Sequence, residues 1–337
     1  MDPALELKNW TVGFDTAEGT VEAVRGVSLT LKRGEVLAIV GESGCGKSVL
    51  CHSMLKILPR TAKTGGRIIA DGLDISGFSE KKMRRLRGPL FSMLFQDPMT
   101  SLNPTIPVGK QITEAILKHH KVSREEAQKK AVEMLDLVGI DDPVHRLALQ
   151  PHYFSGGMRQ RCVLAIALAL EPQILLADEP TTALDVTVQA RMLDLLRDVK
   201  EKKGLSIIFI SHDLGVVARI ADRVAVMYAG KIVEIGTADE VFYDPRHPYT
   251  WGLLGSMPSA AVETGVLRGI PGLPPSLLNP PPGDAFAYRN RHALKIDYEE
   301  MPPMFPVTAT HFAATWLLDP RAPKVEPPIR LKRRTEQ

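Results

Sequence analysis

One short segment constrains the fold of this chain more than any other. The unbroken apolar run Val36–Val40 leads into a glycine-rich loop, GESGCGKS at 41–48, and the residues that follow, 48–58, have the spacing of a helix. An apolar run without polar alternation is typical of a strand buried on both faces of a parallel sheet. Strand, glycine-rich loop and helix in this order predict an α/β fold in which the loop binds phosphate groups.

The residue types in this loop explain why phosphate is the expected ligand. The loop fits the pattern G-x-x-x-x-G-K-[ST], in which the glycines let successive backbone N–H groups point toward phosphate oxygens. We expect Lys47 to contact the β- and γ-phosphates of a nucleotide, and the Ser48 hydroxyl to bind Mg²⁺. The expected nucleotide-binding residues of this segment are Gly41, Glu42, Ser43, Gly44, Cys45, Gly46, Lys47, Ser48 and Val49.

A pair of acids follows a second apolar run. Asp178 and Glu179 come directly after the sequence ILLA at 174–177. We expect Asp178 to bind Mg²⁺, directly or through water, and Glu179 to act as the general base that polarises an attacking water. Two acids at the end of a strand could also form a plain turn, but a phosphate-binding loop earlier in the chain favours the catalytic interpretation.

Two further polar residues lie where they could assist this chemistry. Gln96 follows an apolar stretch and could offer its side-chain carbonyl to Mg²⁺ while its amide senses the water. His212 lies just past the apolar run 207–210, and the carboxyl end of a parallel strand would place it at the ligand-binding edge of the sheet. Each has an ordinary alternative, since loop glutamines are common and a histidine there could simply cap a helix.

A second serine–glycine turn opens a long apolar helix at Ser155, Gly156 and Gly157, followed by Met-Arg-Gln160-Arg. Ser155 could act only as a helix N-cap. The doubled glycine nevertheless exposes N–H groups that can bind another phosphate. Because a helical stretch separates this turn from the first loop, one phosphate is not expected to use both. A head-to-tail dimer is therefore predicted, with each nucleotide held between the loop of one subunit and the turn of the other.

The remaining sequence indicates how the chain is organised. Helical patterns at 158–170 and 186–203 alternate with the buried strands, as in a mostly parallel sheet. The segment 108–138 is helical throughout, with a capping box at 123–126, and predicts a helical insertion. Of the 26 prolines, 16 lie after residue 240, which predicts an irregular extension that packs along a surface rather than forming a second core.

Composition limits the remaining classes of function. A net charge of +3 implies no broad nucleic-acid-binding surface, so no nucleic-acid partner is expected. No signal peptide and no transmembrane segment are expected, because the N-terminus lacks an apolar core and no apolar run reaches about 18 residues. The three cysteines lack metal-ligand spacing and are expected to be reduced thiols.

Together these motifs resemble the nucleotide-binding subunits of ATP-binding cassette (ABC) transporters, over essentially the whole chain. Segment 41–48 matches the Walker A motif, 174–179 the Walker B motif and 154–160 the family signature, with Phe154 in place of the commoner leucine. The resemblance implies a RecA-like P-loop NTPase fold with an N-terminal antiparallel β portion. It places an ABC ATPase domain at 1–240, with the helical subdomain inserted at about 97–165, and the proline-rich extension at 241–337.

The resemblance extends to the smaller motifs. Gln96 matches the Q-loop, Asp185 within Ala-Leu-Asp matches the D-loop, and His212 matches the switch histidine. The aromatic residue that stacks on adenine is matched best by Phe14, although a core residue at a strand edge is the alternative and 15–20 looks like a small insertion. The resemblance thus implies ATP and Mg²⁺ as cofactors, and the signature residues Ser155, Gly156, Gly157 and Gln160 as contacts to the ATP of a partner subunit.

Four segments resemble one branch of the family, the dipeptide and oligopeptide importers, and specifically its D-type ATPase subunit: 95–104, 226–234, 246–250 and 270–275. The resemblance implies an ATPase at the cytoplasmic face of the cell membrane that drives peptide uptake. The implied partners are a second, homologous ATPase subunit in a heterodimer, two membrane-spanning permease subunits and, indirectly, an extracellular solute-binding protein. Nickel and glutathione remain alternative cargoes.

Two other classes of P-loop protein fit the sequence less well. Cassette ATPases that act on DNA or the ribosome carry long coiled coils, zinc ligands or two cassettes, and none of these occurs here. A P-loop kinase or GTPase would leave Ser155 and His212 unexplained. Many branch members carry four tail cysteines suited to an iron–sulfur cluster, and no cluster is predicted here because the corresponding residues offer no thiolate. These residues are Asp284, Asn290, Tyr298 and Thr315.

Overall fold

The computed structural model describes residues 2–95, 101–182, 184–257, 269–328 and 331 of the 337-residue chain. The chain divides into two compact units. Unit 1 contains Met1–Ala4, Leu31–Glu35 and Ala70–Ile210, and unit 2 contains Leu5–Thr30, Val36–Ile69 and Ser211–Gln337. Throughout the described ranges, the helices fall short of the length and apolar character that spanning a bilayer requires.

The strands in the described residues are β1 Leu5–Thr16, β2 Gly19–Leu31, β3 Val36–Val40, β4 Ala62–Ala70, β5 Leu73–Asp74, β6 Phe91–Leu94, β7 Ile174–Asp178, β8 Ser206–Ser211, β9 Arg223–Tyr228, β10 Lys231–Thr237, β11 Phe305–Pro306 and β12 Phe312–Ala313. The helices are α1 Lys47–Met54, α2 Glu80–Leu86, α3 Val108–His119, α4 Arg124–Leu137, α5 Pro143–Arg146, α6 Gly156–Leu168, α7 Val186–Lys203, α8 Leu214–Ile220, α9 Ala238–Tyr243 and α10 Pro248–Gly255. Short 3₁₀ helices cover Pro151–Tyr153, Ala287–Arg289, Lys295–Tyr298 and Trp316–Leu318.

Parallel strands organise unit 1 in the order β8, β7, β6. Phe91 of β6 pairs with Ile174 of β7, and Leu175 of β7 pairs with Ile207 of β8. Every residue of β7 and β8 is buried, as an apolar run without alternation predicts for a strand covered on both faces. The strands predicted at 174–177 and 207–210 are confirmed, each slightly longer than expected.

Helices α3 to α6 lie in unit 1, and the helical pattern predicted at 108–138 is present as α3 and α4. Helix α4 packs against α3, α5 and α6, with Ala131 and Leu135 buried at these contacts. The predicted capping box is present, because the Ser123 hydroxyl accepts from the Glu126 N–H while the Glu126 carboxylate accepts from the Ser123 N–H. Helix α7 ends at Gly204, which adopts the left-handed conformation, as predicted for its C-terminus.

Unit 2 contains two sheets. In one the order is β2, β1, β4, and a two-residue turn joins β1 to β2, so these two strands run antiparallel. In the other the order is β11, β12, β10, β9, β3. Strand β3 pairs in parallel with β9, whereas β10 pairs antiparallel with both β9 and β12. The short strand β12 therefore adds part of the proline-rich extension to the edge of this sheet.

The extension is irregular, as predicted, but it packs more deeply than along a surface. Phe286 is buried in the main apolar cluster of unit 2, where its ring lies 5.3 Å from the rings of both Tyr228 and Tyr249. Ala285 is buried in the same cluster. Sequence composition could not show this, because a proline-rich segment can still insert a single aromatic side chain into a core that other segments build.

Candidate functional site

The glycine-rich loop in unit 2 has the backbone that a phosphate-binding loop requires. Gly41, Gly44 and Gly46 have φ angles of 154°, 79° and 105°, all in the region that favours glycine. A Cβ atom at Gly41 would lie 2.2 Å from the carbonyl oxygen of Met227, and one at Gly46 would lie 2.2 Å from that of Ala23. The loop is thus held so close to neighbouring backbone that only glycine fits at these two positions.

Lys47 is placed inside this loop. Its side chain is buried, and Nζ donates hydrogen bonds to the carbonyl oxygens of Gly41, at 2.7 Å, and Glu42, at 2.9 Å. Cys45 Sγ lies 3.7 Å from the same ammonium, and burial raises the pKa of that thiol, so it stays neutral at neutral pH. Helix α1 begins at Lys47 itself. The loop therefore presents a cation and the positive end of a helix together, which suits an anionic ligand.

Substitution of Gly46 is the first test of this geometry. Gly46→Ala should destabilise the protein more than Gly44→Ala, because both need a left-handed backbone but only Gly46 faces a neighbouring carbonyl oxygen. The backbone conformation alone costs a non-glycine residue about 1–3 kcal/mol. Gly44 has open space around its Cβ position and serves as the matched control. Denaturant titration measures both, and equal losses of unfolding free energy would contradict the steric explanation.

The two other unit 2 candidates lie at element ends. Phe14 is half-buried near the end of β1, two residues before the turn to β2. The segment 15–20 forms the tip of this hairpin, where Thr20 Oγ1 donates to Asp15 Oδ1 at 3.0 Å. His212 is exposed and follows β8 directly, as predicted, and Asp213 next to it caps α8 by accepting from the N–H groups of Gly215 and Val216. The roles of Phe14 and His212 stay predictions.

The acidic pair lies in unit 1 at the carboxyl end of β7. Asp178 is buried as the last residue of the strand, and Glu179 follows with φ +48°, a left-handed conformation that few non-glycine residues adopt. The Glu179 N–H donates to the carbonyl of Ile210 at 3.0 Å, and the Thr182 hydroxyl donates to Glu179 Oε2 at 2.9 Å. The hydrogen bond from Thr182 restrains the direction of the Glu179 carboxylate.

The serine–glycine turn and the D-loop aspartate line one pocket of unit 1. Its volume is about 460 Å³, and its walls include Ser155, Gly156, Gly157, Met158, Arg161, Leu184, Asp185, Val188 and Arg191. Ser155 caps α6 by accepting from the Met158 N–H, and Asp185 caps α7 by accepting from two N–H groups. The pocket thus combines a helix N-terminus with two arginines, which suits a phosphate group.

Gly156 and Gly157 differ in how much space each position leaves for a side chain. A Cβ atom at Gly157 would lie 3.0 Å from Val188 Cγ1, so a neighbouring side chain already limits that position. At Gly156 the same atom would meet nothing within 4 Å. Apart from its chain neighbours and its own helix backbone, the described residues therefore leave room for a side chain at Gly156.

The structure locates most but not all of the predicted residues. Gln96 and Ala183 lie outside the described residues. Gln160 is buried in α6, and its Oε1 accepts no hydrogen bond from the described part of the chain, whereas the neighbouring Arg161 lines the pocket. Sequence analysis missed Arg161 and Arg191 as pocket residues. The position of Arg161 close after the glycine turn could have indicated a phosphate contact. No local sequence feature indicates that Arg191 lines the pocket.

Within the described residues, no group of three or more His, Cys, Asp or Glu side chains is arranged to hold a metal ion. Of the four extension positions predicted to correspond to the cysteines of other branch members, Asp284 and Thr315 are buried. The three cysteines are free and buried. The absence of an iron–sulfur cluster stays a prediction.

Comparison with known proteins shows where this arrangement belongs. Residues 24–182 match the family described as ABC transporter, and residues 233–296 match the family described as Oligopeptide/dipeptide transporter, C-terminal region. The oligopeptide transport ATP-binding protein OppD of Bacillus subtilis is 59% identical, covering 97% of this chain and 92% of its own. The dipeptide transport ATP-binding protein DppD of Lactococcus lactis is 54% identical, covering 97% of this chain and 94% of its own.

A solved structure supports the same assignment. The ATP-binding cassette MJ0796, in a dimeric post-hydrolysis state bound to ADP and phosphate, superposes with a TM-score of 0.62 at 27% identity. It covers 69% of this chain and 98% of its own. The resemblance stated from the motifs and the predicted cassette fold are both confirmed. The chain therefore belongs to the ABC transporter family, as an ATP-binding, ATP-hydrolysing subunit with a C-terminal region of the oligopeptide/dipeptide transporter type.

Proposed function

We propose that this ATPase energises the uptake of dipeptides and oligopeptides. The observation that carries the proposal is the match of residues 233–296 to the oligopeptide/dipeptide transporter C-terminal region, in a chain 59% identical to an oligopeptide transport ATP-binding protein along nearly its whole length. Membership in the ABC family implies membrane subunits as partners and peripheral association with the membrane. We further propose that its partners are two membrane-spanning permease subunits, a second ATPase subunit and, indirectly, an extracellular solute-binding protein. In this proposal the chain lies on the cytoplasmic face of the cell membrane.

The proposed residue roles divide between the two units. In unit 2, Lys47 and the loop N–H groups bind the ATP phosphates, and Phe14 stacks on adenine. In unit 1, Glu179 polarises the attacking water, and the Thr182 hydroxyl holds its carboxylate in place. We assign His212 and Gln96 to sensing the γ-phosphate and the water.

Ser48, Gln96 and Asp178 are the residues proposed to hold Mg²⁺. A hydroxyl, an amide carbonyl and a carboxylate are oxygen donors of the kind that this ion prefers. When bound, the ion neutralises charge on the β- and γ-phosphates. Asp178 supplies the carboxylate of this set from the last residue of β7, where it is buried.

Transport assays test the cargo. In cells that lack the chain, uptake of a radiolabelled tripeptide should fall to background and return when the wild-type gene is supplied, but not when a Glu179→Gln variant is supplied. Radiolabelled nickel and glutathione are measured alongside. Loss of nickel or glutathione uptake with intact peptide uptake would replace the proposed cargo while keeping the ATPase assignment.

Gly156→Ala tests the proposed contact with the ATP of a partner subunit. The added methyl group would meet nothing within 4 Å among the described residues, apart from its chain neighbours and its own helix backbone. The variant should therefore fold normally, and the isolated chain should bind ATP as the wild type does. Hydrolysis by the assembled transporter should fall about tenfold or more, since donors at a helix N-terminus act only at close range. ATPase assays before and after assembly measure this. Unchanged hydrolysis after assembly would show that no phosphate approaches Gly156.

A further inference from the structure

An ion pair joins the phosphate-binding loop to the C-terminal extension. Glu42 is the second residue of the loop, and Arg289 lies 247 positions later, at the end of the 3₁₀ helix Ala287–Arg289. The guanidinium donates to both carboxylate oxygens, with Arg289 Nη1 2.6 Å from Glu42 Oε2 and Nη2 2.9 Å from Glu42 Oε1. Both residues belong to unit 2. A two-point contact of this kind fixes the orientation as well as the distance.

Every donor of the Arg289 guanidinium has an acceptor. Besides its two bonds to Glu42, Nε donates to the Pro271 carbonyl at 2.7 Å, Nη1 donates to the Tyr228 hydroxyl at 3.2 Å, and Nη2 donates to the Gly272 carbonyl at 3.3 Å. Arginine has five N–H donors, so none is left over. The side chain is only 5% exposed. An arginine built into its surroundings in this way differs from a surface ion pair, which contributes little.

The backbone of Glu42 is held by a tyrosine of helix α10 that packs beside the Arg289 site. Its N–H donates to the Tyr249 hydroxyl at 2.7 Å. Tyr249 packs 4.5 Å from the Tyr228 ring, and the Arg289 guanidinium lies 5.8 Å from that ring. Glu42 is thus restrained at both its backbone and its side chain, by groups that also pack against one another.

The pair matters because of the sign of the charges. Glu42 brings a carboxylate into a loop whose ligand is polyanionic. Charges interact over several ångströms inside a protein, where the effective dielectric constant is lower than in water. Arg289 cancels this carboxylate at hydrogen-bonding distance, and Glu42 in turn raises the pKa of Arg289, so the guanidinium stays charged. Without Arg289 the loop would keep its shape less well, and the uncancelled carboxylate would weaken phosphate binding.

We infer that Arg289 is a positioning residue for ATP binding, through which the C-terminal extension aligns the phosphate-binding loop and neutralises Glu42. The inference rests on the proposed assignment of residues 41–48 as the ATP-binding loop. It gives the extension a part in ATP affinity, separate from any contact with membrane partners.

Binding and kinetics of Arg289→Gln test the inference. The full-length variant should bind a fluorescent ATP analogue about tenfold more weakly, and the assembled transporter should show a KM for ATP raised about tenfold with kcat little changed. The loss should be larger for the ATP analogue than for the ADP analogue, because the uncancelled carboxylate repels the more highly charged nucleotide more strongly. The double variant Glu42→Gln/Arg289→Gln should recover most of the affinity, since both charges are then absent.

Two controls separate the explanations. Arg321 also forms a two-point pair, with Asp319, but is 85% exposed, so Arg321→Gln should leave ATP affinity unchanged. Arg289→Lys is the variant to use if Arg289→Gln does not fold, because it keeps the buried positive charge. Hydrogen–deuterium exchange at residues 41–48 should still rise in this variant, because lysine cannot make all five of the hydrogen bonds that the guanidinium makes.

The outcomes also distinguish this inference from the assignment of the loop. Arg289→Gln affinity within twofold of wild type, a double variant as weak as Arg289→Gln, or unchanged exchange in Arg289→Lys would each overturn the role of Arg289. If Lys47→Ala binds the analogue normally, the loop is not the ATP site. That result would reject the proposed residue roles themselves, before the role of Arg289 is considered.

Discussion

Replacing Glu179 with glutamine should leave ATP binding intact and reduce hydrolysis by about 10²- to 10⁴-fold, the range that a general base typically contributes. Glutamine has nearly the same shape and can still accept from the Thr182 hydroxyl, which lies 2.9 Å from Glu179 Oε2. It has no carboxylate to polarise water. The measurements are phosphate release at saturating ATP and binding of a fluorescent ATP analogue, with both made on the assembled transporter.

Glu171→Gln is a matched control for this substitution. Glu171 is also a unit 1 glutamate with a left-handed backbone, at φ +51°, but it forms surface ion pairs with Lys130 and Lys203. We expect its replacement to change hydrolysis by less than about twofold, as is usual for surface positions. Normal hydrolysis by Glu179→Gln would mean that another group activates the water.

Replacing Lys47 with alanine should have its main effect on binding. The ammonium lies within the loop and bonds to two of its carbonyls, so its loss removes a brace for the loop. The proposed contact with phosphate is lost as well. Hydrogen bonds to charged groups contribute about 1.5–3 kcal/mol each, which corresponds to about a 10- to 100-fold loss of ATP affinity. Equilibrium binding of the ATP analogue to the full-length chain measures this loss.

Lys63→Ala provides the comparison for Lys47→Ala. Lys63 is a unit 2 lysine whose side chain is 73% exposed and pairs with Asp15. Removing an exposed pair has little effect on stability, so ATP affinity should stay at the wild-type value. If Lys47→Ala and Lys63→Ala bind the analogue equally well, the loop assignment is wrong.

Sequence patterns correctly predicted the structural features that depend on residues close together in the chain. The run Val36–Val40 and the glycines that follow it dictated a buried strand and a left-handed loop, and both are present. The capping box at Ser123 and the glycine at Gly204 marked helix ends correctly because caps involve residues only a few positions apart.

The features that sequence analysis missed depend on distant contacts. Nothing near Arg289 in the sequence indicates that its partner is Glu42, because the surrounding segment has no regular periodicity. The left-handed conformation of Glu179 is equally invisible, since glutamate has no preference for it and only the fold imposes it. Phe286 was missed as a core residue because a proline-rich setting masks its burial.

The contact between Glu42 and Arg289 has a consequence for how the protein is made. During synthesis the loop leaves the ribosome early, whereas Tyr228, Tyr249 and finally Arg289 emerge much later, over a separation of 247 positions. Chains are synthesised at about 5–20 residues per second, so the loop waits on the order of ten seconds or more for its last support. A nascent chain, or one that ends before Arg289, would bind nucleotide poorly. ATP would therefore bind to and stabilise completed subunits in preference to incomplete ones.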